Sequence, residues 1–337
     1  LSALMNLPEE LAERLDWSHG ELDCSGLTSL SDAAAESLSK YKVEWLSLDG
    51  LTSLSDAAAE SLSKHEGSLD LNGLTSLSDA AAESLGKHNG GGLFLASLTS
   101  LSDAAAERLS KHKGGLHLDG LTSLSDVAAE SLSKHKGGWL SLAGLTSLSD
   151  AAAESLSKHK DSLELQRLTK LSDAAAESLS KHHGPLHLDG LTSLSDAAVE
   201  SFSRSRVERL FCPSLASLSV AGAASLSNFR GRDLPLNGLT SLSDPAAERL
   251  GNYWGELSLD GLTSLSDAAA EGLSKHKGSL SLWGLTSLSD AAAESLSRYE
   301  GTLNLDPDEL PESAAEILRQ HPSFQDDDDE DWDEDDE

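Results

Sequence analysis

Aromatic and basic residues are scarce in this sequence of 337 residues, and each shortage limits what the protein can be. Aromatic side chains make up 4% of the residues and there is one methionine, so a hydrophobic core must be built from Leu and Ala. Lys and Arg number 25 against 57 Asp and Glu, a formal net charge of -32. Such a chain repels nucleic acid and anionic membranes over most of its surface. The charge therefore favours a protein partner, and a basic one in particular.

Cysteines and long apolar runs are also nearly absent. Cys24 and Cys212 are too few for a disulfide framework in a chain of this length. No apolar run reaches the roughly 18 residues of a membrane span, and the stretch from Leu1 to Leu15 carries acidic residues where a secretory leader carries basic ones. We therefore predict a cytoplasmic protein; a monomer is favoured, and the oligomeric state stays open. The chain begins with Leu1 rather than Met, so an upstream targeting segment stays open.

A short repeat accounts for most of the sequence. The segment Leu257 to Ser279 recurs in barely altered form from Leu46 to Leu296, and successive copies of its Leu-x-Leu start 23 or 24 residues apart. Thirteen such starts occur, at Leu22, Leu46, Leu69, Leu93, Leu116, Leu140, Leu163, Leu186, Leu210, Leu234, Leu257, Leu280 and Leu303. Self-similarity at a fixed period of this length is typical of a solenoid.

Each copy predicts one strand and one helix. The Leu-x-Leu alternation suits a short strand with both leucines facing the core. Ser266 and Asp267 predict the start of a helix, whose Ala and Leu side chains share one face as far as Leu273. Gly278 is then expected to end this helix.

The spacing L-x-L-x-G-L-x-x-L-S-D-x-A-A-E-x-L resembles a leucine-rich repeat, most closely the cysteine-containing subtype of F-box proteins and, in kind, bacterial proteins with near-identical repeats. That subtype has Cys where this chain has Leu262, and Ile-Thr-Asp where it has Leu265 to Asp267. The resemblance covers roughly residues 7 to 318. It implies an α/β horseshoe of about 13 strands, with a parallel sheet on the concave face and one short helix per repeat on the convex face.

The two ends of the chain depart from the repeat. We expect a capping helix in residues 1–20, leucine-rich repeats in 21–302 and a capping repeat in 303–324, since terminal repeats must present a wetter outer face. Residues 325–337 consist almost entirely of acids. Such a run cannot bury enough apolar surface to fold, so we predict a disordered acidic tail.

The residue between the two leucines of each strand differs from copy to copy, although the core positions barely change. Variation on one face suggests a recognition surface, and neutral drift at exposed sites is the alternative. The residues that we expect to contact a partner on this concave face are Phe94, His117, His187, Arg209, Phe211, Pro235 and Trp283. Local packing is the alternative role of the two phenylalanines, and Trp45 and Trp139 are predicted to wedge the longer return loops.

A cluster of arginines stands out in an acidic chain. It comprises Arg204, Arg206, Arg209, Arg230 and Arg232, in two adjacent copies, where Val220 also replaces the usual helix-starting Asp. Relaxed constraint on degenerate copies is one hypothesis for this cluster. A basic docking patch for an acidic partner, the acidic tail included, is the second hypothesis.

Histidines recur at one position near the helix ends, where other copies have Tyr. A position that accepts Tyr is not a metal site, so we expect packing against the next repeat and a favourable helix C-terminus. No nucleophile paired with His and an acid, no phosphate loop and no metal quartet rises above the repeat background. We predict that the protein is not an enzyme and has no cofactor.

Two functions from different classes follow. The first is a protein-protein interaction scaffold that binds its partner through the concave face. The second is a chaperone or buffer for basic proteins, in which the acidic tail binds and the repeats only display it.

Overall fold

The computed structural model describes residues 20–205, 207 and 209–325. The chain divides into two units, Leu1–Cys212 (unit 1) and Pro213–Glu337 (unit 2). The expected N-terminal capping helix and the acidic tail from Asp326 onward lie outside the described residues.

Each repeat contributes one short strand and one short helix, which confirms the predicted α/β repeat architecture. The strands are β1 (Glu21–Asp23), β2 (Trp45–Ser47), β3 (Ser68–Asp70), β4 (Leu93–Phe94), β5 (Leu116–His117), β6 (Leu140–Ser141), β7 (Leu163–Glu164), β8 (Leu186–His187), β9 (Leu210–Phe211), β10 (Asp233–Pro235), β11 (Glu256–Ser258), β12 (Ser279–Ser281) and β13 (Thr302–Asn304). The helices are α1 (Asp32–Leu38), α2 (Asp56–Leu62), α3 (Asp79–Leu85), α4 (Asp103–Leu109), α5 (Asp126–Leu132), α6 (Asp150–Leu156), α7 (Asp173–Leu179), α8 (Asp196–Ser203), α9 (Val220–Leu226), α10 (Asp244–Leu250), α11 (Asp267–Leu273), α12 (Asp290–Ser297) and α13 (Glu312–Leu318). The described helices have seven or eight residues, and none is long and apolar enough to cross a membrane.

The strands pair in parallel, leucine beside leucine. Leu22 pairs with Leu46 and Leu46 with Leu69, so equivalent side chains of successive repeats stack in columns and are buried. The sequence predicts a single sheet, whereas the described residues form two: β1–β9 in unit 1 and β10–β13 in unit 2. Pro235 in β10 has no N–H to donate to a ladder. Because proline is confined to the edge strands of sheets, β10 begins a sheet.

A serine begins most of the helices and also joins them. In α2, the side chain of Ser55 accepts a hydrogen bond from the N–H of Ala58, while its hydroxyl donates to Asp32 of the preceding repeat. The serine–aspartate ladder so formed consists of the pairs Ser55–Asp32, Ser78–Asp56, Ser102–Asp79, Ser125–Asp103, Ser149–Asp126, Ser172–Asp150 and Ser195–Asp173 in unit 1, and Ser266–Asp244 and Ser289–Asp267 in unit 2. Each serine thus caps its own helix and tethers it to the preceding helix.

The ladder is interrupted in unit 2 where its aspartate is replaced. Val220 stands at the first position of α9 in place of Asp, and its side chain is 41% exposed. Ser243, which begins the next helix, α10, makes no side-chain capping hydrogen bond. Ser243 therefore lacks the carboxylate that orients the equivalent hydroxyl in the other copies.

Gly278 does not end its helix, contrary to the expectation. Helix α11 ends at Leu273 and is followed by Ser274 in a right-handed helical conformation. A Cβ atom at Gly278 would lie 1.9 Å from the carbonyl oxygen of Gly255, and one at Gly301 would lie 2.2 Å from that of Gly278. Glycine at these two positions lets the backbones of successive repeats approach closely.

The histidine register forms a buried ladder of rings. Ring centroids are 6.2 Å apart between His112 and His135 and 6.0 Å apart between His135 and His159, with planes within 14° of parallel. In unit 2, Tyr253 stacks at 6.0 Å on His276 in the same way. Packing against the next repeat is confirmed as the role of these residues.

The expected interaction of charged histidines with the helix C-termini is wrong, because burial keeps the rings neutral. Burial lowers the pKa of His88 and His135 to about 4, assisted by the neighbouring histidines. It also lowers the pKa of His65, His112, His159, His182 and His276. A neutral ring can be stacked in the core without a counter-ion.

The last described repeat closes unit 2. It contains β13, α13 and two 3₁₀ turns, Pro307–Glu309 and Pro322–Phe324. Ser323 in the second turn accepts a hydrogen bond from the N–H of Leu303 in β13, at 3.0 Å. Arg319 makes ion pairs with Asp308 and Glu312. These contacts join the second turn and the last described helix to the rest of this repeat.

Restoring the interrupted ladder is expected to stabilise unit 2. Val220→Asp supplies a carboxylate opposite Ser243, and we expect the free energy of unfolding to rise by about 1 kcal/mol, as for a typical hydrogen bond with a helix cap. Urea unfolding followed by circular dichroism measures the change. Val127→Asp is the matched control, since exposed Val127 lies in the first turn of α5, where the ladder is complete. Equal gains from both substitutions would show that only the helix dipole responds.

Acid is expected to destabilise the repeats through the ring ladder. Because folding lowers the histidine pKa values, the unfolded chain binds more protons, and the free energy of unfolding must fall as the pH drops from about 6.5 towards 4. Urea midpoints measured at several pH values test this expectation. His135→Tyr should reduce the acid sensitivity, since Tyr253 occupies the same position and its hydroxyl donates to the carbonyl of Gly231 at 2.7 Å. Unchanged midpoints over this range would contradict the expectation.

Candidate protein-binding face

Four rings meet on the outward face of the sheet in unit 1. We call Trp45, Phe94, His117 and Trp139 the aromatic platform. Ring centroids are 4.6 Å apart between Trp45 and Phe94, 4.2 Å between Phe94 and His117, and 5.6 Å between His117 and Trp139, the last pair edge to face. The platform extends from β2 to the residue before β6.

The hydrogen bonds of His117 hold the platform in one arrangement. The indole N–H of Trp139 donates to Nε2 of His117 at 2.6 Å, and Nδ1 of His117 lies 3.7 Å from a carboxylate oxygen of Asp119. Because Nε2 accepts, the proton of the neutral ring lies on Nδ1, facing Asp119. A second proton on the ring would displace the Trp139 N–H.

Asp119 remains ionised although it is half-buried beneath the platform. Burial favours the neutral acid, but the nearby imidazole of His117 and hydrogen bonds from the hydroxyl of Ser141 and the N–H of Ala143 outweigh it and lower the pKa of Asp119. The carboxylate thus orients the imidazole from below, as a buried acid orients a histidine in many binding sites.

Two glycines make room for the rings. A Cβ atom at Gly92 would lie 2.6 Å from the ring of Phe94, and one at Gly115 would lie 2.1 Å from the indole of Trp139. Both glycines occupy the position just before the first leucine of the strand, where other copies have larger residues such as Glu21. The large rings of Phe94 and Trp139 therefore occupy the space that the missing side chains of Gly92 and Gly115 leave open.

Carboxylates border the platform on the side of β1 to β3. Asp70 of β3 pairs with Phe94 of β4, and Glu21, Asp23 and Asp49 belong to the two preceding repeats. Burial raises the pKa of Asp70, and the charges of Asp49 and Glu21 raise it further. The acids at this end of the platform therefore repel one another.

A second ring pair lies farther along the same sheet. The rings of His187 and Phe211 stack at 4.1 Å and 6°. The guanidinium of Arg209 lies over the Phe211 ring, 5.5 Å from its centroid, and Nδ1 of His187 is 3.7 Å from Asp189. The structure thus brings together three of the residues predicted to bind a partner.

The remaining predicted contact residues are in unit 2. Pro235 is half-buried in β10. Trp283 follows β12 and is 58% exposed, and its backbone N–H is held by Asp260. These two residues are not part of the platform or of the second ring pair.

The predicted basic patch is divided between the units. Arg204 pairs with Glu200 in unit 1, whereas Arg232 pairs with Glu256 in unit 2, and Arg230 is exposed. Arg206 lies outside the described residues. The charges of Arg204 and Arg232 are therefore largely balanced by their neighbours.

Trp45 and Trp139 are the residues that the sequence interpretation misplaced. They were expected to wedge the return loops, but they lie on the outward face with Phe94 and His117. Phe94 and Phe211 are half-buried, rather than exposed as expected, because the neighbouring rings cover them. The sequence could have indicated this placement. Side chains alternate along a strand, so the residue before the first leucine lies on the same face as the residue between the two leucines.

Solved structures with a similar fold come from several organisms. An internalin from Listeria monocytogenes matches 95% of this chain and 87% of its own length, with a TM-score of 0.53 and 15% identity. A leucine-rich-repeat protein from Leptospira interrogans matches 96% of this chain and 92% of its own, with a TM-score of 0.48 and 18% identity. No protein-family model and no curated protein sequence matches this sequence.

The internalin likeness concerns the fold alone, because the identity is low. Together with thirteen parallel strands and one helix per repeat, it shows that this chain has the leucine-rich-repeat solenoid fold. The F-box-associated subtype stays a prediction.

The platform should loosen if a side chain is placed beneath Trp139. Gly115→Ala puts a Cβ where the indole now lies, so we expect Trp139 to swing outward with a change in stability of less than about 1 kcal/mol, because the indole is already partly exposed. The indole N–H resonance of Trp139 reports the loss of its bond to His117. Ser162→Ala, at the equivalent position two repeats further along the chain, is the control. An unmoved resonance in Gly115→Ala would contradict the assigned packing.

Proposed function

We propose that the protein is a non-catalytic interaction scaffold that binds a partner protein through the outward face of the sheet in unit 1. The main support for this proposal is the location of the large aromatic side chains in a chain that has few of them. Of the described Trp and Phe residues of unit 1, Phe202 is buried in the core, and the other four, Trp45, Phe94, Trp139 and Phe211, are on this face. Large rings on a sheet surface have no role in holding leucine columns together.

The physical properties of this face suit a protein partner. Aromatic residues dominate the energetics of protein interfaces because they bury much area with few rotatable bonds. Nine strands at about 4.8 Å span roughly 40 Å, enough for a standard interface. The platform and the second ring pair then offer two anchor points about 14 Å apart, three strand spacings from β5 to β8.

The helix face of unit 1 offers a partner fewer distinctive features than the sheet face. It carries the same exposed pair in successive copies, such as Lys134 with Glu130 and Lys158 with Glu154. Exposed pairs four residues apart on a helix contribute little and remain hydrated. A repeated, solvated pattern gives a partner little to distinguish one repeat from the next.

Three baits distinguish this proposal from binding by the acidic tail. They are the whole chain, the chain ending at Gln325, and the whole chain carrying Phe94→Ala and Phe211→Ala. We expect the truncated chain to keep its partner in a pull-down and the double variant to lose it, with a rise in Kd of at least about tenfold for two interface anchors. The truncation stops after Gln325 because Ser323 holds β13.

The control for the double variant is Val127→Ala with Trp254→Ala, which removes comparable exposed apolar side chains elsewhere. Urea unfolding confirms that each variant is folded. If the tail truncation abolishes binding, binding falls steeply with salt and the double variant binds normally, the acidic tail is the functional element and the scaffold proposal is wrong.

A further inference from the structure

The two ring clusters of unit 1 differ in one respect: only one of them has a cation. Arg209 places its guanidinium over Phe211, 5.5 Å from the ring centroid. A cation in this position is attracted by the negative face of the ring. Phe94 is stacked on a histidine in the same way, at 4.2 Å against 4.1 Å for Phe211. The repeat that carries Phe94 has Gly92 where the repeat of Phe211 has Arg209.

The surroundings of the platform also lack positive charge. Each strand turns three positions outward: the residue before its first leucine, the residue between the leucines, and the residue after the second. In β1 to β6 these positions hold five acids, Glu21, Asp23, Asp49, Asp70 and Asp119, and no Lys or Arg. The described helices, by contrast, pair their Glu with Lys. Burial raises the pKa of Asp70, and the charges of Asp49 and Glu21 add to that effect.

We propose that the outward side of the aromatic platform binds the guanidinium group of an arginine side chain presented by the partner, beside Asp70 and Asp119. This inference rests on the scaffold function proposed above and names the chemistry that the face recognises. The internal pair of Arg209 with Phe211 shows the geometry that the incoming arginine would reproduce. A partner arginine also neutralises carboxylates that now repel one another.

Arginine fits this surface better than lysine. Its guanidinium is planar, so it can lie flat on a ring and still donate two parallel hydrogen bonds to a carboxylate at its edge. The ammonium of lysine is a strongly hydrated point charge that gains less from a flat aromatic surface. The arrangement of rings with flanking carboxylates therefore favours the flat cation.

Titration of the full-length chain with N-acetylarginine amide tests the proposal, read by the indole N–H resonances of its tryptophans. We expect saturable shifts of Trp45 and Trp139 and none of Trp254 or Trp283. N-acetyllysine amide should bind about fivefold more weakly. The uncharged isostere N-acetylcitrulline amide should give no saturable shift. Equal shifts at all tryptophans, or equal responses to arginine and citrulline, would overturn the proposal.

Two variants and a matched control locate the site. Asp119→Asn and Phe94→Leu should each weaken binding of N-acetylarginine amide by about fivefold, the range expected for one cation–π contact or one exposed charge pair. Asp189→Asn removes the equivalent acid beside the second ring pair, where Arg209 already supplies the cation, and should leave the affinity unchanged. Equal losses in Asp119→Asn and Asp189→Asn would indicate attraction by net charge alone and would contradict the site.

The experiments distinguish a failure of the arginine proposal from a failure of the scaffold proposal. If Phe94→Ala with Phe211→Ala abolishes partner capture while N-acetylarginine amide gives no saturable shift, the face binds proteins but does not recognise arginine. If N-acetylarginine amide binds the platform while the double variant keeps its partner, the platform binds a cation and the scaffold proposal is wrong.

Discussion

The spacing of about 4.8 Å between parallel strands is the constraint on which the rest of this structure depends. Every part of a repeat must meet its neighbour at a distance compatible with that spacing. Glycine at Gly255, Gly278 and Gly301 lets the return segments approach closely, and alanines on the helices leave room for helix to pack on sheet. The buried rings of Tyr253 and His276 stack at 6.0 Å, so they can follow the strands only in a nearly parallel arrangement. The serine–aspartate ladder joins the helix starts in the same direction.

Stacking also explains how a few substitutions produce a functional surface. Residues 23 or 24 positions apart become neighbours, so Phe94 and His117, alone in their own repeats, form one stacked pair at 4.2 Å. A second row of outward positions brings Trp139 within hydrogen-bonding distance of His117. The uniform core lets these positions change without cost to the leucine columns. Recognition can therefore be altered repeat by repeat while the fold is retained.

Departures from the repeat have visible structural consequences. Val220 in place of Asp leaves Ser243 without its capping hydrogen bond, and Pro235 occupies the edge strand at which the second sheet begins. Protonation would disturb the rings of unit 1 in another way, because burial and the neighbouring histidines oppose a charge on a ring such as His135. Tolerance of change is thus high on the outward face and low wherever one repeat touches the next.

The sequence by itself determined the repeat: the period, the leucine columns, the serine that begins most of the helices and the parallel pairing all follow from local patterns that recur from copy to copy. It also indicated Phe94 and Phe211 as unusual residues on the variable face. Only the tertiary structure decided that Trp45 and Trp139 join Phe94, that glycines lie beneath the rings, and that the strands form two sheets. The reason is physical. A repeat pattern specifies what each residue does within its own unit, whereas contacts among side chains of three or four successive units depend on ring orientation and free space, which no single copy encodes.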